Sequence, residues 1–160
     1  MLSAVDRLFP PSPAMAYLGD GLPDCRDKLA SKRVLVVEDE ALVSMLMEDE
    51  LRDARAEILG PVPSVENALQ LVEAAVSDGG ISAAVLDINL GGQHVAPLAD
   101  RLAALGVPFL FATGYGVNHD TGGYGRAPVL EKPFDAGRLV ATVAELTFTG
   151  ADAAAPLPGR

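Results

Sequence analysis

The chain has 160 residues, 49% of them hydrophobic, which is enough apolar surface for one domain with a sizeable core and excludes disorder throughout. A formal net charge of −10 argues against a nucleic-acid-binding surface, because affinity for phosphate backbones comes mainly from Lys and Arg, and it points to protein partners. The lone cysteine, Cys25, has no intramolecular disulfide partner, no apolar run approaches the ~20 residues of a membrane helix, and Asp6, Pro10, Pro11 and Pro13 break up any export signal, so a cytoplasmic protein is expected.

Residues 1–31 are rich in Pro and Gly (FPPSP, LGDGLPD) without a sustained period and read as a flexible extension, in which Leu2, Val5, Leu8 and Phe9 have the spacing of a locally packed helical turn. The ordered domain is expected over residues 32–147. Val34–Val37 is a continuous apolar run, the pattern of a strand covered on both faces by helices. A first helix follows, with Val43, Leu46, Met47 and Leu51 on one stripe; Leu42 and Met45 fall off it and are either peripheral core or an apolar patch for a partner. Ala56–Leu59 reads as a second strand ended by Pro61 and Pro63. Ser64 is placed as the N-cap of a second helix with Val65, Ala68, Leu69, Val72 and Val76 inside. Ile81–Leu86 is the third strand. A third helix starts near Ala96, with Pro97 in its first turn and Leu98, Leu102 and Leu105 inward.

Pro108–Ala112 is the fourth strand and Pro128–Glu131 the fifth. The last helix runs from an Asp135 N-cap through Leu139, Val143 and Leu146, and residues 148–160 read as a C-terminal tail. Where a fourth helix belongs, GYGVNHDTGGYGRA (114–127) holds five glycines, each costing a helix about 1 kcal/mol relative to alanine, so this element is expected to be irregular. The β-α alternation gives an α/β fold with a five-stranded parallel, doubly wound sheet.

Polar residues stand where these strands end: Glu38 and Asp39, Asp87, Thr113, and Lys132 with Pro133. Together they describe one pocket at the carboxyl edge of the sheet, where open α/β folds bind ligands. The carboxylates of Glu38, Asp39 and Asp87 would raise one another's pKa if left alone, and an oxygen-liganded divalent cation, Mg²⁺, relieves this; the backbone carbonyl of Asn89 is a further ligand candidate. Glu38 and Asp39 alone would equally suit a solvated helix N-terminus. Asp87 is the candidate nucleophile toward phosphorus, Lys132 the charge that neutralises the phosphoryl oxygens, and Thr113 a hydroxyl donor to them. A cis Lys132–Pro133 bond is expected to aim the ammonium inward. His94 and His119 lack metal-ligand spacing and receive no role.

The segments VLVVEDE, AAVLDINL, FLFATGYG and VLEKPF resemble the signatures of response-regulator receiver domains over roughly residues 33–146, and FATGYG resembles the "FAT GUY" branch of single-domain receivers. The resemblance implies a flavodoxin-like strand order of 2-1-3-4-5. It implies Mg²⁺ held by Glu38, Asp39 and Asp87, phosphoryl contacts from Thr113 and Lys132, and a histidine kinase or phosphotransfer protein as donor. Val129 stands where most receivers carry a switching Tyr or Phe, so order or disorder of the glycine-rich loop is the expected switch. The expected function is a stand-alone receiver, not an enzyme, that accepts phosphate on Asp87 and signals through an unknown downstream protein, without nucleic acid or membrane. Two alternatives stand beside it. A haloacid-dehalogenase-like phosphatase would need a second aspartate where Asn89 stands, and a phosphorylation-independent scaffold would not need the intact pocket.

Overall fold

The structure is a computed structural model and describes residues 27–114, 123–124 and 126–153. Along the chain come β1 (Arg33–Val37), α1 (Ala41–Asp53), β2 (Glu57–Val62), α2 (Val65–Val76), β3 (Ala83–Asp87), α3 (Ala96–Ala104), β4 (Phe109–Thr113), β5 (Val129–Glu131) and α4 (Ala136–Ala153). The five strands form one parallel sheet in the order β2-β1-β3-β4-β5, the order that the family resemblance implies. A two-residue antiparallel ribbon, Asn89–Leu90 against Gln93–His94, follows β3.

Alternation along the strands divides the core into two layers. Val34, Val36, Val85, Leu110, Ala112 and Leu130 face α1 and α4, meeting Met47, Leu51, Leu139 and Val143. Leu35, Val37, Leu86, Phe109 and Phe111 face the other way, onto Val65, Ala68 and Val72 of α2 and Leu98 and Leu102 of α3. The continuous apolar strands follow from this: each successive side chain has a helix to meet. No helix among the described residues is long and apolar enough to cross a membrane.

Helix starts and faces follow local chemistry, with two revisions. Ser64 caps α2, its Oγ accepting from the Asn67 N–H at 3.1 Å, and Pro97 sits in the first turn of α3. The inner face of α2 uses Ala75, while Val76 is 49% exposed. On α1 only Met47 and Leu51 are fully buried; Leu46, expected inside, is exposed with Leu42 and Met45, so these three form an apolar patch. A 3.6-residue period tolerates rotation of the stripe by a residue when the outer helix has one neighbour on one side only.

β2 does not stop before Pro61. It bulges at Gly60, opposite the register break between Leu35 and Val37, and runs on to Val62, which accepts from the Glu38 N–H at 3.0 Å. Gly60 has φ +94°, and a Cβ there would lie 2.9 Å from both Val36 O and Val62 N, so the bulge needs glycine. A proline is tolerated because β2 is the sheet edge, where a missing N–H breaks no second ladder. The Gly60–Pro61 and Lys132–Pro133 bonds are both cis.

Both domain boundaries move outward from the sequence expectation. Residues 27–31 form a turn rather than part of a free extension: Leu29 is fully buried among Val34, Met47 and Leu51, and its N–H donates to Ala54 O at 2.9 Å. At the other end α4 passes residue 147 and continues through Ala153, keeping Thr147 buried, because one glycine at position 150 costs only about 1 kcal/mol. Residues 1–26 and 154–160 lie outside the described residues. So does most of the glycine-rich segment, residues 115–122 and 125, and with it the expected order–disorder switch and His119. Its far end is fixed: Tyr124 stacks edge-on against Phe109 at 5.2 Å and donates its hydroxyl to Asp100 Oδ1 at 2.6 Å.

Truncating Leu29 tests the new boundary. Leu29→Ala should lower unfolding stability by about 2–5 kcal/mol, as for other buried leucines, seen as a shifted urea midpoint with an unchanged slope. A cost below about 0.5 kcal/mol would return residues 27–31 to the extension.

Candidate functional site

In a parallel sheet all strands point one way, so residues that end β1, β3, β4 and β5 gather at one edge. The switch point of the strand order lies between β1 and β3, and Glu38, Asp39 and Asp87 meet there. One carboxylate oxygen from each lies within 4.8 Å of the others. Glu38 and Asp87 are each about 3% exposed, while Asp39 is open to solvent.

Lys132, the residue after β5, is placed by backbone pairing: its N–H donates to Thr113 O at 2.7 Å, which locks the end of β5 to the end of β4. From there its ammonium reaches across β4 and β3 to Glu38 Oε2 at 2.7 Å and Asp87 Oδ2 at 3.3 Å. The Glu38 contact is a close ion pair, the shorter of the two. The other oxygen of each acid is held by backbone: Glu38 Oε1 accepts from the Glu40 N–H at 3.1 Å, and Asp87 Oδ1 from the Asn89 N–H at 3.0 Å. One oxygen of each carboxylate is thereby held by backbone and the other faces the Lys132 ammonium. The Asn89 side chain shapes the next turn, its Oδ1 accepting from Gly92 N–H at 3.2 Å.

Burial, reinforced by the Asp87 carboxylate, raises the Glu38 pKa to about 7 against the opposing pull of Lys132. Burial also works to lower the Lys132 pKa, but Glu38 and then Asp87 outweigh it, and the net shift is upward. Both shifts are upward, toward neutral Glu38 and charged Lys132. Lys132 faces only carboxylates and holds its proton throughout the neutral range, whereas Glu38 also faces a like charge and is the member that protonates.

Thr113 ends β4 one residue beyond Ala112, the register partner of Asp87. Its hydroxyl is 1% exposed and has no hydrogen-bond partner among the described residues. A buried hydroxyl without a partner costs free energy. Glu38, Asp39, Asp87 and Lys132 are thus brought together, with Thr113 on the adjoining strand end. Sequence reasoning missed Glu40, whose Oε1 lies 3.5 Å from the same ammonium. Its signal was adjacency to Glu38 and Asp39, which looks the same as an ordinary acidic residue at a helix start.

Acidic oxygens this close, facing one ammonium, carry more negative than positive charge, and a hard divalent cation fits that imbalance. The sheet edge therefore brings three carboxylates and an ammonium together, with an unpartnered hydroxyl on the adjoining strand end.

No family model matches the chain, and no curated protein does. Solved structures do. SdrG from Sphingomonas melonis Fr1 is 41% identical over 74% of this chain and 97% of its own, with a TM-score of 0.61. The signal receiver domain of a LuxO repressor protein from Vibrio parahaemolyticus (23% identical, 79% of this chain and 98% of its own, TM-score 0.64) shares the fold. So does a response regulator receiver protein from Sinorhizobium medicae WSM419 (24%, 74% and 96%, TM-score 0.60). With a relative of this identity matched over nearly its whole length and an acidic pocket at the switch point of the same sheet, the chain belongs to the response-regulator receiver domains.

Proposed function

We propose that the chain accepts a phosphoryl group on Asp87 from a histidine kinase or phosphotransfer protein and signals by changing its contacts with another protein. The observation that carries this reading is the Lys132 ammonium held between Glu38 and Asp87 beside the unpartnered Thr113 hydroxyl. In the step proposed, Asp87 Oδ2, the oxygen not fixed by Asn89, forms a bond to phosphorus. The donor's P–N bond, or the P–O bond of acetyl phosphate, breaks, and its electron pair leaves with the imidazole or acetate. Lys132 then exchanges its hold on Asp87 for a phosphoryl oxygen, and Thr113 donates its hydroxyl to another.

Glu38, Asp39, Asp87 and the backbone carbonyl of Asn89 would hold Mg²⁺, which supplies charge neutralisation to the oxygens around phosphorus. Asn89 has no proton to give a leaving alkoxide, so we read the chain as a phosphoacceptor rather than a turnover phosphatase.

Incubation with acetyl phosphate and Mg²⁺ should add one labile phosphoryl group by intact mass, lost in Asp87→Asn. Equal labelling of that variant would move the acceptor elsewhere, and absence of labelling from any donor would favour a phosphorylation-independent scaffold.

Metal titration followed by amide NMR should shift signals around Glu38, Asp39 and Asp87 with weak affinity, and Asp39→Ala should remove the response. Shifts confined to other acidic surfaces would contradict this cation site.

Glu38 also predicts a pH dependence in the metal-free protein. Its pKa is about 7 in the folded chain against an ordinary value of 4.5, so the folded chain binds the proton more tightly than the unfolded one. The stability it contributes is fully present below 4.5 and is lost as pH rises through 7. Measured with a chelator present, the stability of wild type relative to Glu38→Gln should fall across that window, and Mg²⁺ should flatten the fall. A flat difference without metal would show that Glu38 stays ionised throughout.

A further inference from the structure

Glu40 is outside the carboxylate trio, and although it is the N-cap residue of α1, only its backbone serves the cap. It precedes α1 in extended conformation (φ −82°, ψ 115°), its side chain makes no capping bond, and its carboxylate turns to Lys132 at 3.5 Å. The side chain is 65% exposed, against 0% for Glu38 and 4% for Asp87, so it stands at the pocket mouth. There it lines a groove of about 270 Å³ with Val43, Leu46, Gly114, Lys132 and Phe134. The two buried acids on Lys132 have a second use: both are in the trio placed to take a cation. Glu40 is not, so drawing Glu38 and Asp87 toward a cation leaves Glu40 as the carboxylate still beside the ammonium.

We propose that Glu40 is a specificity-determining residue that discriminates against small, highly charged phosphodonors. The inference rests on the phosphoacceptor reading of Asp87. An entering phosphoryl group needs Lys132 and must pass a fixed negative charge that competes for it. The penalty grows with the donor's own charge: a dianion such as acetyl phosphate meets more repulsion than a monoanion such as phosphoramidate. Because Glu40 is mostly solvated, salt screens it, and its effect has the size of an exposed ion pair rather than a buried one.

The test is the second-order rate constant of Asp87 labelling by each small donor, at Mg²⁺ concentrations saturating for each variant. With acetyl phosphate at low ionic strength, Glu40→Gln should be faster than wild type by roughly 2- to 5-fold, and Glu40→Lys faster again. The gain should be smaller with phosphoramidate and should shrink as salt is added, responses that a merely structural role would not produce. Rates for Glu40→Gln equal to wild type, or changed equally for both donors and independent of salt, would overturn the role of Glu40 while labelling lost in Asp87→Asn left the acceptor standing. Labelling that survives Asp87→Asn, or fails in every variant with both donors, would overturn the acceptor reading and this inference with it.

Discussion

The pocket depends on one half-buried ammonium. Lys132 lies against two acids that are themselves almost wholly removed from water, and none of the three would be tolerated there alone. Buried pairs of this kind add little net stability, since desolvation offsets most of the Coulomb gain, but losing one partner leaves a charge uncompensated. The arrangement makes sense as a poised site. Under the proposed function, a divalent cation would relieve Lys132 of its two acids, and the charge freed would be available to an incoming phosphoryl oxygen.

Backbone geometry, not side-chain reach, sets this poise. The Lys132 N–H bonds to Thr113 O, the Glu40 N–H to Glu38 Oε1, and the Asn89 N–H to Asp87 Oδ1, so each functional side chain starts from a main-chain position fixed by its neighbour. Those positions exist because the strands are parallel and covered on both faces. The two apolar layers hold β1, β3 and β4 in register, and the register puts Asp87 opposite Ala112 with Thr113 one step beyond. Site geometry of this kind is held by rigid elements even where the residues stand just past their ends.

Much of this was legible in the sequence because burial on both faces writes itself as uninterrupted apolar runs, and Val34–Val37 and Phe109–Ala112 have few other readings. The strand ends were legible for the same reason: a polar residue closing such a run, at Asp87 or Thr113, marks the sheet edge. What sequence failed to show was set by single contacts without a period. Leu29 lies in a five-residue turn and enters the core by one side chain. β2 continues past Pro61 because it is an edge, which only the strand order reveals. Leu46 lies outside because helix rotation depends on packing against α4 and β1 rather than on spacing. Glu40 carried no pattern at all, and its role depends on the angle at which Lys132 arrives.

The charge balance also explains why the hydroxyl of Thr113 is left without a partner. An acid in that place would add to a pocket already short of positive charge, and a second ammonium would pair with Asp87 and compete with the cation. A neutral donor does neither, and by lying one residue past the register partner of Asp87 it sits on the strand neighbouring the acceptor. Its cost is that of one unmade hydrogen bond, about 1–3 kcal/mol, small enough for a packed domain to carry. Under the proposed function a phosphoryl oxygen would accept that hydroxyl and recover the cost, so the same residue would weaken the free state and favour the phosphorylated one. A preference of this kind, built into the resting pocket, is what a two-state signalling domain requires of its site.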